Sequence, residues 1–208
     1  SPSSQNSVKG ELKLTSLSGV ATPILAKVPW SSGRLMLHPS EAPLTSTTST
    51  PPASQMVATM RRRVGSVQEK LPPGSDRPRV FSLEGINPLV VGGHWIPDML
   101  SLSGGNQDMF APGCNAKRLD WDEVRQYNPD KLFIDLCSSD LARNLREVSW
   151  LERQEGWRIL SSVKSGEVYL IDHSYFSRPG PRSVEGVELL AELTHPELFS
   201  GLAPRDVV

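Results

Sequence analysis

The residues richest in usable chemistry are Ser174-Tyr-Phe-Ser-Arg-Pro-Gly-Pro-Arg182. Proline fixes its own φ and restricts the residue before it, so Arg178 is biased toward extended geometry and Pro181 can open a helix. A stiffened path carrying two aromatic rings and a guanidinium suits a flat ligand with polar edges. The rings can cover its faces, and the guanidinium supplies donors for its edge. The alternative is that Tyr175 and Phe176 pack into the core and Arg178 ties the loop down. Arg182 is expected to be structural, set against its own helix or a neighbouring carboxylate.

Glu84, Asn87 and Trp95 follow a predicted strand and are expected on the same rim as this loop. Each has a plainer reading: Trp95 as a lid over the core, and Asn87, before Pro88, as a turn residue. Asp122 and Glu123 fall in the first turn of a predicted helix, where exposed amide groups favour negative charge. Arg61-Arg62-Arg63 reads as a solvated face, with contact to acidic neighbours as the alternative. His94 and Asp98 have the i, i+4 spacing of helical metal ligands, but two residues do not make a site, and no metal is assigned. His173 beside Asp172 could orient a base, yet no serine or cysteine is tied to it by spacing.

The elements that must position these groups emerge from periodicity. Residues 1–54 are poor in charge and end in the low-complexity run Leu44 to Pro52, which has no apolar face to bury. Within them Glu11 to Leu17 alternates as an edge strand would, and Gly33 to His38 is a second candidate. Met56, Val57, Met60, Val64 and Val67 form a helical stripe over Ala53 to Lys70, stopped by Pro72-Pro73-Gly74. A strand is predicted over Arg79 to Leu83, a turn through Gly85 to Pro88 and a short helix near Ile96 to Leu102. A helix opens at Asp120, with Glu123 at capping-box spacing. A buried strand at Lys131 to Leu136 precedes a helix capped by Ser138 or Ser139 and running to about Gln154. Strand Glu167 to Ile171 then leads to a last helix marked by Val184, Val187, Leu190 and Leu193. This order predicts an α/β fold: a three-layer lobe with a mostly parallel sheet over 76–200, preceded by a long linking helix at 55–75 and an irregular segment at 1–54.

Composition excludes several classes of function. With 208 residues, 38% of them hydrophobic, the chain can build a core. A net charge of −1 and the lack of interleaved basic and aromatic residues argue against nucleic acid as a partner. No apolar run approaches the roughly 20 residues of a spanning helix, so membrane insertion is not expected. No secretion signal is visible. Cys114 and Cys137 lack the paired spacing of a zinc site and are expected as two free thiols, since a bridge would need an oxidising compartment and close Cβ atoms.

Several short segments follow one another along the second half: Arg79-Val-Phe81, Gly85-Ile-Asn-Pro88, Gly92-Gly-His-Trp95, Ser103-Gly-Gly105, Trp121-Asp-Glu-Val124, Asn128-Pro-Asp130, Gly156-Trp157, Gly166-Glu-Val-Tyr169 and Tyr175 to Arg182. In order and approximate spacing, Arg79 to Glu197 resembles the C-terminal lobe of cobalamin-binding periplasmic proteins. These are solute receptors of ABC importers, in the helical-backbone group that also carries siderophores and haem. The resemblance implies two α/β lobes joined by one long helix, with ligand gripped between them. It makes Tyr175, Phe176 and Arg178 part of the ligand edge, with Arg178 reaching the corrin periphery. It makes Asp122, with Glu123, a docking carboxylate for an ABC permease, and it implies a periplasmic or otherwise extracytoplasmic location. Residues 1–54 depart from it, being short of a complete first lobe and lacking α/β alternation.

The leading expectation is a non-catalytic solute-binding module for cobalamin or another corrinoid, with no cofactor of its own. An interaction protein that keeps the lobe fold without binding ligand is the alternative. An enzyme is disfavoured, because the chain carries no phosphate loop, dinucleotide fingerprint, metalloprotease helix or nucleophile elbow.

Overall fold

The computed structural model describes residues 26–28, 33–35, 52–71, 73, 77–139 and 141–202. Among the described residues, seven strands form one sheet. In chain order they are β1 (Ala26–Val28), β2 (Gly33–Leu35), β3 (Val80–Ile86), β4 (Leu89–Val91), β5 (Lys117–Arg118), β6 (Lys131–Ile134) and β7 (Val168–Leu170). Their order across the sheet is β1-β2-β7-β6-β3-β4-β5. The four strands β2, β7, β6 and β3 run parallel, and the antiparallel pairs β1–β2, β3–β4 and β4–β5 flank them. This is the α/β sheet with a parallel centre that the sequence order predicts.

Alternation along each central strand sends side chains to two cores. Phe81 and Leu83, Leu132 and Ile134, and Val168 and Leu170 face one; Val80, Phe133 and Tyr169 with Ile171 face the other. Both faces are covered, which is why these strands read as nearly continuous apolar runs. The first face is closed by α3 (Trp121–Tyr127), α4 (Leu141–Glu152) and α5 (Ser161–Ser165), which contribute Val124, Val148, Leu151 and Val163. The second is closed by α2 (Ile96–Leu102) and α6 (Pro181–Thr194), through Ile96, Met99, Val187 and Leu190. Each such residue, wholly withdrawn from water, contributes roughly 1.5–3 kcal/mol of transfer free energy.

Helix α1 (Ala53–Lys70) lies on α6 rather than on the sheet. Val67 and Leu71 join Ala191 and Phe199 in a third apolar cluster. Arg63 corrects the reading of the arginine run as a solvated face. Its Nε and Nη2 donate to the two carboxylate oxygens of buried Glu188 at 2.8 and 2.6 Å, while Arg61 and Arg62 are exposed. The cause is helical geometry: position 63 is close in angle to 67 and shares its inward face, whereas 61 and 62 do not.

At the amino ends of the parallel strands, Arg79 donates to both oxygens of Asp130 and to the Tyr127 carbonyl. Burial pushes the Asp130 carboxyl up, but the bonds from Arg79 outweigh it and hold the group below the usual carboxylate range. Burial raises the Tyr127 phenol to about 12. Its hydroxyl donates toward the carbonyls of Val80 and Asn106 at 3.2 and 3.0 Å.

Several boundaries differ from expectation. The strand expected over Arg79 to Leu83 continues to Ile86, because it turns back as a hairpin into β4, which the glycine and proline signals concealed. β5 and α5, of two and five residues, are too short to show a period. β2 falls within the strand expected at Gly33 to His38 and pairs with β7, so part of the segment expected to be irregular extends the sheet. The strand expected at Glu11 to Leu17 lies outside the described residues. At α3 the expected capping box is present, with Glu123 Oε2 accepting from the Asp120 N–H at 2.8 Å.

Candidate functional site

The carboxyl ends of β3, β6 and β7 open onto a rim built by three segments. After β7, Asp172 caps a 3-10 turn at His173–Tyr175, its Oδ1 accepting from the Ser174 N–H at 2.8 Å. The N–H groups of Phe176 and Ser177 then both donate to the His173 carbonyl, at 3.1 and 2.7 Å. This winding swings the rings of Tyr175 and Phe176 inward, where each is only 3% exposed. Gly186 of α6 makes room for them. A Cβ there would lie 3.0 Å from the Tyr175 carbonyl oxygen and 3.3 Å from Phe176 Cε1.

The expectation that both rings cover a ligand face is therefore corrected: they are core residues, and burying two aromatic rings outweighs displaying them. Arg178 is exposed, and its guanidinium has no hydrogen-bond or ion-pair partner among the described residues. Arg182 is structural, donating to Ser174 Oγ at 2.9 Å with its guanidinium 5.9 Å from the centre of the Tyr175 ring.

The second segment is the Gly92-Gly93-His94-Trp95 turn that leads into α2. Gly93 is required by contact. A Cβ would sit 2.3 Å from the Ala116 nitrogen and 2.5 Å from the Asn115 carbonyl carbon, both backbone atoms that cannot yield. His94 has φ 56°, held by donation of its N–H to Cys114 O at 2.6 Å and acceptance from the Gly113 N–H at 2.9 Å. Because α2 begins only at Ile96, His94 and Asp98 do not share a helix, and their ligand-like spacing has no helical meaning. Half-buried Trp95 donates its Nε1–H to the Phe176 carbonyl at 2.7 Å. One indole thus ties this turn to the loop after β7, bringing together two segments that lie far apart in sequence.

The third segment is the end of the β3–β4 hairpin. Asn87 is exposed at its tip, in a cis Asn87–Pro88 bond. Glu84 is half-buried, and burial pushes its carboxyl above the ordinary value while the nearby His94 imidazole pulls it down. Beside it lies a pair that sequence reasoning missed. Asp135, at the end of β6, is fully buried, with Oδ1 2.5 Å from Ser82 Oγ. Burial drives this carboxyl well above the usual range; the Ser82 bond opposes that rise and the Glu84 charge adds to it. The available signal was an acid inside an apolar strand, Leu132-Phe-Ile-Asp135.

Asp122 and Glu123 stand apart from this rim, at the start of α3. Glu123 is engaged in the cap and lies 3.7 Å from Lys117, and exposed Asp122 pairs with Arg125 at 2.9 Å. A groove of about 560 Å³ runs past Asp122, Arg125, Asn128, Gly156 and Ile159, and the rim residues do not line it. Cys114 is half-buried and Cys137 exposed, both as free thiols.

The fold recurs among solved structures. A periplasmic binding protein from Veillonella parvula superposes with a TM-score of 0.58 at 24% identity, over 69% of this chain and 50% of that one. The fold is that of a periplasmic binding-protein lobe. An ABC-type Fe3+-hydroxamate transport system structure from Saccharomonospora viridis gives a TM-score of 0.57 at 20% identity, over 68% of this chain and 48% of its own. In sequence, 49 residues, or 24% of the chain, are 43% identical to the uncharacterized ABC transporter substrate-binding lipoprotein YvrC of Bacillus subtilis (strain 168), covering 16% of that relative. The chain thus spans about half the length of these solved structures and a sixth of that relative. No protein-family model matches. Among the described residues, no helix is long and apolar enough to cross a membrane.

Proposed function

We infer that the lobe is a non-catalytic solute-binding module of the ABC-importer type, with the rim at the carboxyl ends of β3, β6 and β7 as its ligand wall. The observation that supports this reading is the Trp95–Phe176 hydrogen bond at 2.7 Å, which ties the turn before α2 to the loop after β7; exposed Arg178 follows in that loop, and half-buried Glu84 lies near the end of β3. Open α/β sheets hold ligands at this end. The ligand class we favour is an amide-fringed corrinoid such as cobalamin. Trp95 would offer the apolar surface that Tyr175 and Phe176 do not, Arg178 would reach the periphery, and Asn87 would stand at the tip of the same hairpin. Asp122, exposed and outside the rim, would meet basic groups of a permease and act on docking rate more than on tightness.

Burial of both loop rings favours a second reading, a lobe that keeps its fold as an interaction surface without ligand. Titration separates the two. Cyanocobalamin added to the chain should quench tryptophan emission and raise the melting temperature, and Arg178→Ala or Trp95→Ala should weaken both responses. A ferric hydroxamate in a parallel titration reports the siderophore class. Silence toward both ligands at millimolar concentration favours the interaction protein.

A further inference from the structure

Helix α1 carries more apolar surface than the lobe covers. Its inward face is set by Val67, clustered with Ala191 and Phe199, and by Arg63, bound to Glu188. With about 100° of rotation per residue, Val64 and Val57 lie roughly 60° and 80° round the helix from Val67. They are less covered, and Val57 is 45% exposed. On this flank lies a groove of about 380 Å³, lined by Met60, Arg61, Val64, Gly65 and Gln68 of α1 and by Val184 of α6. A Cβ on Gly65 would meet no atom within 4 Å, so another chain can approach closely there. Gln68 also lines an adjoining groove past Leu71 and Arg77, and no rim residue lines either one. From Met60 to Leu71 the run follows roughly 16 Å of helix axis. Its charge is one-sided. Among the 18 residues of α1 Glu69 alone is acidic, against Arg61, Arg62, Arg63 and Lys70. Glu188 pairs with Arg63, and Glu185 of the same helix acts on that guanidinium as well. Exposed Arg61, which lines the groove, has no hydrogen-bond or ion-pair partner among the described residues.

We propose that this groove docks an acidic amphipathic helix of another polypeptide, its apolar face on Met60, Val64 and Val184 and a carboxylate on Arg61. Apolar walls extending over roughly three turns fit a helix read through anchors at i, i+3 or i+4 and i+7. A compact ligand would leave most of that length empty. A second copy of this chain is a poor occupant, because α1 laid against α1 sets Arg61 and Arg62 of each against a flank whose one acid is Glu69. The groove lies apart from the carboxyl rim, so the proposal goes beyond the ligand reading and does not rest on it.

The test is fluorescence anisotropy of the whole chain with two labelled helical peptides of about 16 residues. One carries leucines at i, i+3, i+4 and i+7 with glutamates between them; its twin has lysine for every glutamate. The glutamate peptide should bind with a Kd below about 1 mM, and the lysine twin about tenfold or more weakly. Arg61→Glu should weaken the glutamate peptide by about tenfold, whereas Arg62→Glu, on the opposite flank, should leave it within about twofold. Gly65→Trp fills the groove and should abolish binding. Its melting temperature should hold or rise, because a better helix former replaces a helical glycine and the new Cβ meets nothing within 4 Å. Silence of the glutamate peptide at about 1 mM, equal binding of the two peptides, equal losses in Arg61→Glu and Arg62→Glu, or affinity that survives Gly65→Trp would overturn the proposal. Sedimentation that finds wild-type dimers dissociated by Gly65→Trp would overturn it too, giving the groove to a second copy. No step uses a corrinoid, so the ligand reading stands or falls separately.

Discussion

Replacing Arg63 by Ala should separate α1 from the lobe in a measurable way. The guanidinium makes a bidentate pair with Glu188 at 2.8 and 2.6 Å, where the Glu188 side chain is 9% exposed and that of Arg63 is 37% exposed. Breaking a fully buried pair costs about 3–5 kcal/mol, because one charge is left without a partner. An exposed pair contributes about 0–1 kcal/mol. With one partner buried and the other partly open to water, Arg63→Ala should cost about 2 kcal/mol, or roughly 4–8 °C in melting temperature for a domain of this size. Arg63→Met with Glu188→Gln, which removes both charges and keeps most of the volume, should recover more than half of that loss. Chemical denaturation of the two single variants Arg63→Ala and Glu188→Ala and of their double should return a coupling of about 1–2 kcal/mol. A melting temperature within about 1 °C of wild type, or a coupling below about 0.3 kcal/mol, would refute the docking of α1 on α6 through this pair.

Asp135→Asn should stabilise the chain at neutral pH, because burial raises the folded-state carboxyl and holding it ionised there costs free energy. The folded-state carboxyl is raised, so its contribution is fully present below the unfolded carboxylate pKa and is lost as pH rises through the raised value. Wild type should therefore lose stability upward from the ordinary carboxylate range, and Asp135→Asn should flatten that fall; an equal change in stability for both proteins between about pH 4.5 and about pH 7.5 would contradict the assignment. Gly93→Ala should cost about 1–3 kcal/mol, because its Cβ meets backbone at 2.3 Å. It should also shift Trp95 emission, and unaltered emission with an unaltered melting temperature would show the turn to be looser than described.

Much of the fold was legible because its signals are local and periodic. The stripe from Met56 to Val67 placed α1, Asp120 with Glu123 fixed the start of α3, and Pro181 opened α6. The apolar runs at Lys131 to Leu136 and Glu167 to Ile171 gave two buried strands. What escaped depends on neighbours distant in sequence. Leu89–Val91 becomes a strand only by folding back on β3, and the pairing of Arg63 with Glu188 spans two helices. The site was half legible. That Trp95 and the loop after β7 share a rim followed from the strand-to-helix order, whereas the inward turn of Tyr175 and Phe176 depends on a 3-10 turn capped by Asp172 and on space left by Gly186. The Asp135–Ser82 pair needs the register of β3 against β6, which one sequence does not reveal.

The central claim is that ligand seats on the carboxyl rim, and hydrogen exchange with and without cyanocobalamin tests it most directly. The account predicts slowed exchange confined to the backbone of 84–87, 92–95 and 173–178. Protection centred on 122–128 and 156–160, along the groove past Asp122 and Ile159, or no protection anywhere, would contradict it.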